Sequence, residues 1–164
     1  MPAIPGMEDL NSAKYLYPRE LGEPRDNALR LVVQEAITTE NAADGFGAET
    51  PGVAELMTNF QSIESTEECR SFELSWRHYV TYSVTEEMVG SCGQYDDESF
   101  SGKLFRVYSK SHFLERLGRD TGSHIEPIQH YKIVCLNHLV DVAAYEPPAI
   151  RVLNQNPPRS LRVQ

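Results

Sequence analysis

Long hydrophobic runs are missing from this sequence, and with them the simplest signs of a membrane or secreted protein. No stretch approaches the roughly 18 consecutive apolar residues of a membrane-spanning helix. The opening residues, MPAIPGMEDLNS, have neither the basic start nor the apolar segment of a secretory signal. We therefore expect a cytoplasmic protein.

Cysteine is also scarce. Cys69, Cys92 and Cys135 are an odd number of cysteines at wide spacing, and no CxxC pair occurs. This pattern argues against a disulfide framework and favours free thiols in a reducing compartment. Acidic residues follow Cys92 closely, and because they disfavour the reactive thiolate we do not expect a nucleophile there.

Basic residues are outnumbered, since 15 Lys and Arg stand against 24 Asp and Glu, for a formal net charge of −9. Nucleic-acid binding depends on Lys and Arg that displace counterions from phosphates, so this balance argues against nucleic acid as a partner. It argues equally against an anionic membrane surface. A basic protein remains a possible partner.

Recognised motifs of catalysis and cofactor binding are absent too. The sequence has no Gly-rich phosphate loop, no GxSxG elbow, no HExxH pair and no EF-hand pattern. We therefore assign no catalytic residue, no cofactor and no metal site.

The length of the chain, 164 residues, fits one domain that folds without a metal or a disulfide. We expect this compact domain over residues 27–150. Residues 1–26 contain four prolines and no sustained periodicity, which predicts an arm that is draped over the domain or partly disordered. Residues 151–164 predict a flexible C-terminal tail.

Alternation of apolar and polar residues is the strongest structural signal. In NALRLVVQEAI it favours a strand over residues 29–37, although the helix formers behind Asn27 leave a helix as the alternative. In SFELSWRHYVTYSVT it predicts one long bent strand, or two strands hinged near Arg77 and His78. The core-facing side chains of that segment are predicted to be Phe72, Leu74, Trp76, Val80, Tyr82 and Val84.

The segment SKSHFLERLGRD predicts a helix, which Ser109 or Ser111 can cap at its N-terminus and Gly118 can end. The connections between the strands lack the regular helices of a parallel βαβ arrangement. We therefore predict an α+β, mainly β fold, with an antiparallel sheet of four or five strands and one or two short helices.

The stretch HYKIVCLNHLVDVAAYEPP, residues 130–148, contains four possible ligands: His130, Cys135, His138 and Asp141. On a single strand, residues three positions apart point to opposite faces, and Cys135 and Asp141 lie about 20 Å apart. A zinc site needs three or four ligands that converge. We therefore favour a core strand over a metal site or a nucleophile.

Two further groups of residues are candidate sites. His78, His130 and His138 would form a pocket on a sheet face if they converged, although a histidine that is satisfied within the core is the simpler interpretation. An acidic loop provides a candidate surface for a basic partner, although such runs are usually solvated turns. Its residues are Tyr95, Asp96, Asp97 and Glu98.

Three segments, FELSWRHYVTYSVTEE, GKLFRVYSKSHFLERL and HYKIVCLNHLVDVAAYEPP, together resemble a family of small bacterial proteins of uncharacterised function. The resemblance covers about residues 29–148. It implies a compact single domain, and it implies no reaction and no catalytic residue.

Size, charge and the acidic loop predict a non-enzymatic acidic protein that binds another protein, such as an immunity protein that neutralises a bacterial toxin. The alternative is a small enzyme or ligand-binding domain with a histidine-lined pocket on a sheet face.

Overall fold

The computed structural model describes residues 3–39, 62–91, 97–122 and 127–154. Within these ranges the chain forms ten strands in two antiparallel sheets of five strands each, and three short helices. The prediction of an α+β, mainly β fold is confirmed, although the strands are divided between two sheets where the sequence predicted one.

In chain order, the elements are α1 (Met7–Ser12), β1 (Tyr15–Gly22), β2 (Leu29–Thr39), β3 (Ser62–Glu64), β4 (Ser71–Trp76), β5 (Tyr79–Glu86), α2 (Glu87–Ser91), β6 (Ser99–Ser101), β7 (Phe105–Lys110), α3 (His112–Thr121), β8 (Gln129–Val134), β9 (His138–Ala144) and β10 (Ala149–Asn154). The first sheet has the spatial order β1-β2-β4-β10, and β3 pairs with the far end of β2. The second sheet has the order β5-β9-β8-β7-β6.

The chain passes from the first sheet to the second at Arg77 and His78, between β4 and β5. The predicted hinge is therefore confirmed, as is the predicted strand over residues 29–37, which lies within β2. Both sheets contribute to one hydrophobic core, in which the rings of Trp76 from β4 and Tyr131 from β8 have centroids 6.2 Å apart.

The predicted core-facing residues are confirmed in β4, before the hinge, and the prediction fails at the end of β5. Along β4 the buried side chains of Phe72, Leu74 and Trp76 alternate with half-buried polar ones, as expected for a strand with one face on the core. The pairing of β5 with β9 shifts between Tyr79 and Thr81, and the partly buried Tyr82 still packs on the core. Val80 is half-buried and Val84 is 46% exposed, since β5 is the edge strand of its sheet.

The segment predicted as an N-terminal arm, residues 1–26, contains a helix and a strand of the first sheet. Their described part forms α1 and the edge strand β1, and Leu10 and Leu16 are fully buried. Pro18 lies at a shift in the pairing of β1 with β2, on an edge strand where a missing N–H is tolerated. At the other end of the chain, residues 151–154 belong to β10, and residues 155–164 lie outside the described ranges.

The segment predicted as a single core strand, residues 130–144, is a hairpin, so that prediction is wrong. β8 and β9 are antiparallel neighbours joined by residues 135–137, and the backbone N–H of Cys135 donates to the carbonyl of His138 at 2.9 Å. The turn contains Asn137 but no Gly or Pro, the usual sequence marks of a turn. The hairpin brings the two halves of the segment side by side.

Candidate functional site

A cavity of about 380 Å³ lies between α3 and the outer face of the second sheet. Three neighbouring strands supply its sheet wall, where Ser83 of β5, Asp141 of β9 and Lys132 of β8 are adjacent in register. Because side chains alternate along a strand, Asp141 points outward while Val140 and Val142 point into the core. The wall is therefore polar, although the strands are apolar on their other face.

A hydrogen-bonded chain of three side chains underlies this wall. The Oγ of Ser111 lies 2.7 Å from Nδ1 of His130, and Nε2 of His130 lies 2.8 Å from Oδ1 of Asp141. All three residues are buried, with exposures of 4%, 1% and 8% respectively. Buried polar groups require partners of this kind, and here both ring nitrogens of the histidine have one.

The direction of each hydrogen bond follows from Asp141, because a carboxylate only accepts. The N–H at Nε2 of the neutral imidazole donates to Asp141, so Nδ1 accepts the hydroxyl hydrogen of Ser111. Ser111 is the N-cap residue of α3, and its Oγ also accepts the backbone N–H of Leu114 at 3.2 Å. This assignment gives every atom of the chain a complementary partner.

The imidazole of His130 is also held by packing. Its centroid lies 4.3 Å from that of Tyr108, in a stacked arrangement, and 4.8 Å from that of Phe113 on α3. Lys132 places its Nζ 3.3 Å from Oδ1 of Asp141 and over the ring of Tyr108. These side chains, which form the floor of the cavity, are therefore held by hydrogen bonds, an ion pair and ring contacts with one another.

Helix α3 directs three basic side chains at the cavity. His112, Arg116 and Arg119 line it and are spaced at i, i+4 and i+7, which places them on one face of a helix. Arg116 also lies over the ring of Phe113. Among the described residues, no carboxylate lies within ion-pair distance of Arg116 or Arg119.

His112 joins α3 to the end of the acidic loop. Its Nε2 lies 2.7 Å from Oδ1 of Asp97, and its Nδ1 lies 2.9 Å from Oε2 of Glu115. The hydrogen bond with Asp97 raises the pKa of His112 above its ordinary 6.5. Hydrogen bonds from His112 and Lys110 lower the pKa of Asp97 to about 2.

The acidic loop is in part engaged within the protein. Asp97 pairs with both His112 and Lys110, and Glu98 accepts the backbone N–H of His112 at 2.9 Å. The other two residues of the predicted partner surface, Tyr95 and Asp96, lie outside the described residues, as does Cys92.

Apolar side chains complete the lining of the cavity. Val89 and Gly90 of α2 and Leu139 of β9 line it together with Phe113. A Cβ at Gly90 would lie 2.5 Å from Cδ1 of Leu139, so the absence of a side chain allows α2 to approach the sheet here. The lining of the cavity therefore combines basic and apolar side chains.

The three histidines of the predicted pocket do not converge. His78 is exposed, and its ring lies 5.9 Å from that of Tyr145. His138 pairs with Glu86 at the end of β9 that is remote from His130, whose strand partner is Ala143. Sequence reasoning selected His130 but did not connect it with Asp141, because a single strand keeps these two residues apart, and it considered Ser111 only as a helix cap.

The arrangement favours binding over nucleophilic chemistry. The hydroxyl of Ser111 is committed to the helix cap and to His130, and Ser111 does not line the cavity. Burial raises the pKa of the Cys135 thiol to about 12, which keeps it protonated. Within the described ranges, no three His, Cys, Asp or Glu side chains come together to hold a metal ion.

Comparisons of the chain with protein-family models, curated proteins and solved structures give no match. The resemblance to a family of small bacterial proteins therefore stays a prediction. None of the helices in the described part of the chain is both long and apolar enough to cross a lipid bilayer.

Proposed function

We propose that the protein binds a small molecule in the cavity between α3 and the second sheet. The observation that carries this proposal is the cavity itself, which at about 380 Å³ lies within the range of known ligand pockets. Its floor is held by the Ser111–His130–Asp141 chain. A rigid, pre-formed site lowers the entropy that a ligand loses on binding.

The sequence predicted, as an alternative, a ligand pocket on a sheet face formed by His78, His130 and His138. The proposed site is also on a sheet face, but of these three histidines only His130 belongs to it. His130 belongs to the floor, and His112, Arg116 and Lys132 provide polar groups that a ligand can reach. The role is binding without catalysis, since the hydroxyl of Ser111 is already engaged and the Cys135 thiol stays protonated.

The test is a titration with the fluorescent dye 1-anilinonaphthalene-8-sulfonate, which is small enough for the cavity. We expect saturable binding that Ser83→Phe weakens by at least about tenfold, because the phenyl ring occupies the cavity. Thr81→Phe is the matched control, since Thr81 lies two positions away on β5 and does not line the cavity.

Two results would contradict the proposal. One is that the dye fails to bind, and the other is that it binds Ser83→Phe and the wild type equally well. Circular dichroism of each variant establishes that the fold is retained.

A second candidate function is protein binding by an acidic cytoplasmic protein, such as a bacterial immunity protein. Supporting it are the net charge of −9 and the exposed apolar side chains in and after the edge strand β5, where Val84, Met88 and Val89 are 46%, 73% and 67% exposed. Exposed apolar surface of this kind is available to a protein partner. The cytoplasmic location is supported by Cys69 and Cys135, which are buried free thiols.

The second candidate predicts that a basic protein partner associates more slowly as salt is raised, because salt screens exposed charges. It also predicts that Met88→Ser weakens the complex while Leu153→Ser, at an exposed apolar position in the first sheet, does not. An association rate that is independent of salt would argue against it.

A further inference from the structure

We infer that the ligand of this cavity is an amphipathic anion, with a negatively charged head group on an apolar body. This inference rests on the proposed function and specifies its ligand class. It is derived from the distribution of charged and apolar side chains around the cavity.

The balance of basic and acidic residues around the cavity differs from that of the whole chain. In a protein whose net charge is −9 with histidine counted as neutral, three Lys and Arg line the cavity against two acidic residues, and two histidines also line it. The Lys and Arg are Arg116, Arg119 and Lys132, the histidines are His112 and His130, and the acidic residues are Glu98 and Asp141.

Both acidic residues already have internal partners. Asp141 accepts from His130 and pairs with Lys132, and Glu98 accepts the backbone N–H of His112. Lys132 offsets the charge of Asp141, and neither Asp141 nor Glu98 lies within ion-pair distance of the two arginines of α3.

Arg116 and Arg119 have no such partner among the described residues. They are three positions apart on one helix, a spacing at which like charges repel. The carboxylate four positions before Arg119, Glu115, is directed at Nδ1 of His112 at 2.9 Å. An anion between the two guanidinium groups would relieve this repulsion, and guanidinium binds carboxylate, sulfonate or phosphate oxygens through paired hydrogen bonds.

The apolar part of the lining indicates what the anionic group is attached to. Val89 of α2 and Leu139 of β9 offer apolar surface, and Phe113 offers more of it next to Arg116, whose guanidinium lies over its ring. A small hydrophilic anion would leave this surface in contact with water. A ligand with a hydrocarbon or aromatic body covers it, and its head group reaches the arginines.

The experiment compares two dyes of nearly the same shape, 1-anilinonaphthalene-8-sulfonate and N-phenyl-1-naphthylamine, which lacks the sulfonate. We expect the wild type to bind the sulfonate at least about tenfold more tightly. In the double variant Arg116→Gln/Arg119→Gln, we expect the affinity for the sulfonate to fall to that for the neutral dye, which itself stays unchanged.

A charge-matched control separates local contacts from the overall field. Arg19→Gln/Arg151→Gln also removes two positive charges, changing the net charge from −9 to −11, but both residues lie on the first sheet. We expect this variant to bind both dyes as the wild type does. If it loses the preference for the sulfonate as fully as the α3 variant does, the preference comes from the overall field and the inference is overturned.

The outcomes distinguish this inference from the proposed function. If the wild type binds both dyes with equal affinity and Ser83→Phe weakens each, the cavity binds small molecules but has no preference for an anionic head group. The proposed function then stands and this inference is overturned. Failure of both dyes to respond to Ser83→Phe would overturn both proposals.

Displacement of the bound sulfonate dye by decanoate, decyl phosphate and decanol then compares head groups on the same hydrocarbon chain. Decanoate or decyl phosphate should displace the dye at concentrations at which decanol does not, and the stronger of the two identifies the head group. Displacement by decanol at the same concentration as both anions would contradict the inference.

Discussion

Ser111 connects two structural roles through one hydroxyl group. Its Oγ accepts the backbone N–H of Leu114 at the start of α3, and its hydrogen donates to Nδ1 of His130 beneath the cavity. The position of the helix and the orientation of the imidazole are therefore coupled.

Ser111→Ala is expected to lower the free energy of unfolding by about 2–4 kcal/mol. An N-cap contributes about 1 kcal/mol, and a buried acceptor left without its donor costs about 1–3 kcal/mol. Urea unfolding followed by circular dichroism measures this loss. Ser111→Thr keeps the hydroxyl and serves as the control, with a much smaller expected loss.

A loss of less than about 0.5 kcal/mol in Ser111→Ala would mean that water replaces the hydroxyl. The buried hydrogen-bonded chain would then not depend on the protein's own side chain.

At the scale of elements, α3 is attached to the chain before it through His112. The raised pKa of His112 means that the stabilisation from its pair with Asp97 is complete below about pH 6.5 and is lost as the pH rises through the folded-state pKa. The lowered pKa of Asp97 means that its contribution is present above pH 3.8 and is lost as the pH falls towards 2.

The stability difference between the wild type and His112→Asn should therefore be largest between about pH 4 and pH 6.5, and it should shrink on either side. Thermal melts across this range measure it. His78→Asn removes an exposed histidine that has no described ion pair, and it serves as the control. A difference that does not change with pH would show that His112 acts through packing alone.

The sequence predicted a strand or a helix correctly where a single pattern of apolar and polar residues ran through it without interruption. β2 and β4 alternate without a break, and the Ser111 cap marks the start of α3. The end of α3 was placed too early, at Gly118, whereas the helix continues to Thr121 and ends at Gly122 with a φ of +77°. A glycine inside a helix carries only a modest cost, so its identity alone does not mark an end.

The candidate site was missed because of one turn. On a single strand, His130 and Asp141 would lie about 36 Å apart, whereas the hairpin places them in hydrogen-bond contact at 2.8 Å. Every residue of β9 after His138 is buried, so this strand is apolar on both faces, and the turn before it has no Gly or Pro. Local pattern therefore could not locate the reversal, and long-range pairing decided it.

At the scale of the whole molecule, Trp76 links the two sheets. It is 2% exposed and contacts Tyr131 of the other sheet, and its buried Nε1 has no hydrogen-bond partner among the described residues. One core shared by both sheets predicts that they unfold together.

Trp76→Ala is expected to lower the free energy of unfolding by about 3–5 kcal/mol, as aromatic truncations in a core do. Trp76→Phe keeps most of the ring and removes the unpaired N–H, so it should cost clearly less. Urea unfolding followed by circular dichroism compares the two. In the wild type, the fluorescence of Trp76, the only tryptophan, should change at the same urea concentration as the circular dichroism.

If the fluorescence and circular dichroism of the wild type change at different urea concentrations, the sheets unfold separately. If Trp76→Ala leaves the free energy of unfolding nearly unchanged, the core does not depend on contact between the sheets.

The pairing of β4 with β10 also has a consequence for synthesis on the ribosome. β4 ends at residue 76 and β10 begins at residue 149, so translation at about 5–20 residues per second separates them by about 4–15 s. Until then, the nascent chain carries a hydrophobic strand with one open edge, which is a template for pairing with a neighbouring chain. The second sheet, in which β7, β8 and β9 pair in succession, can form first. The first sheet can therefore be completed only after β10 has emerged from the ribosome. Chaperones that bind nascent chains would act between the synthesis of β4 and that of β10.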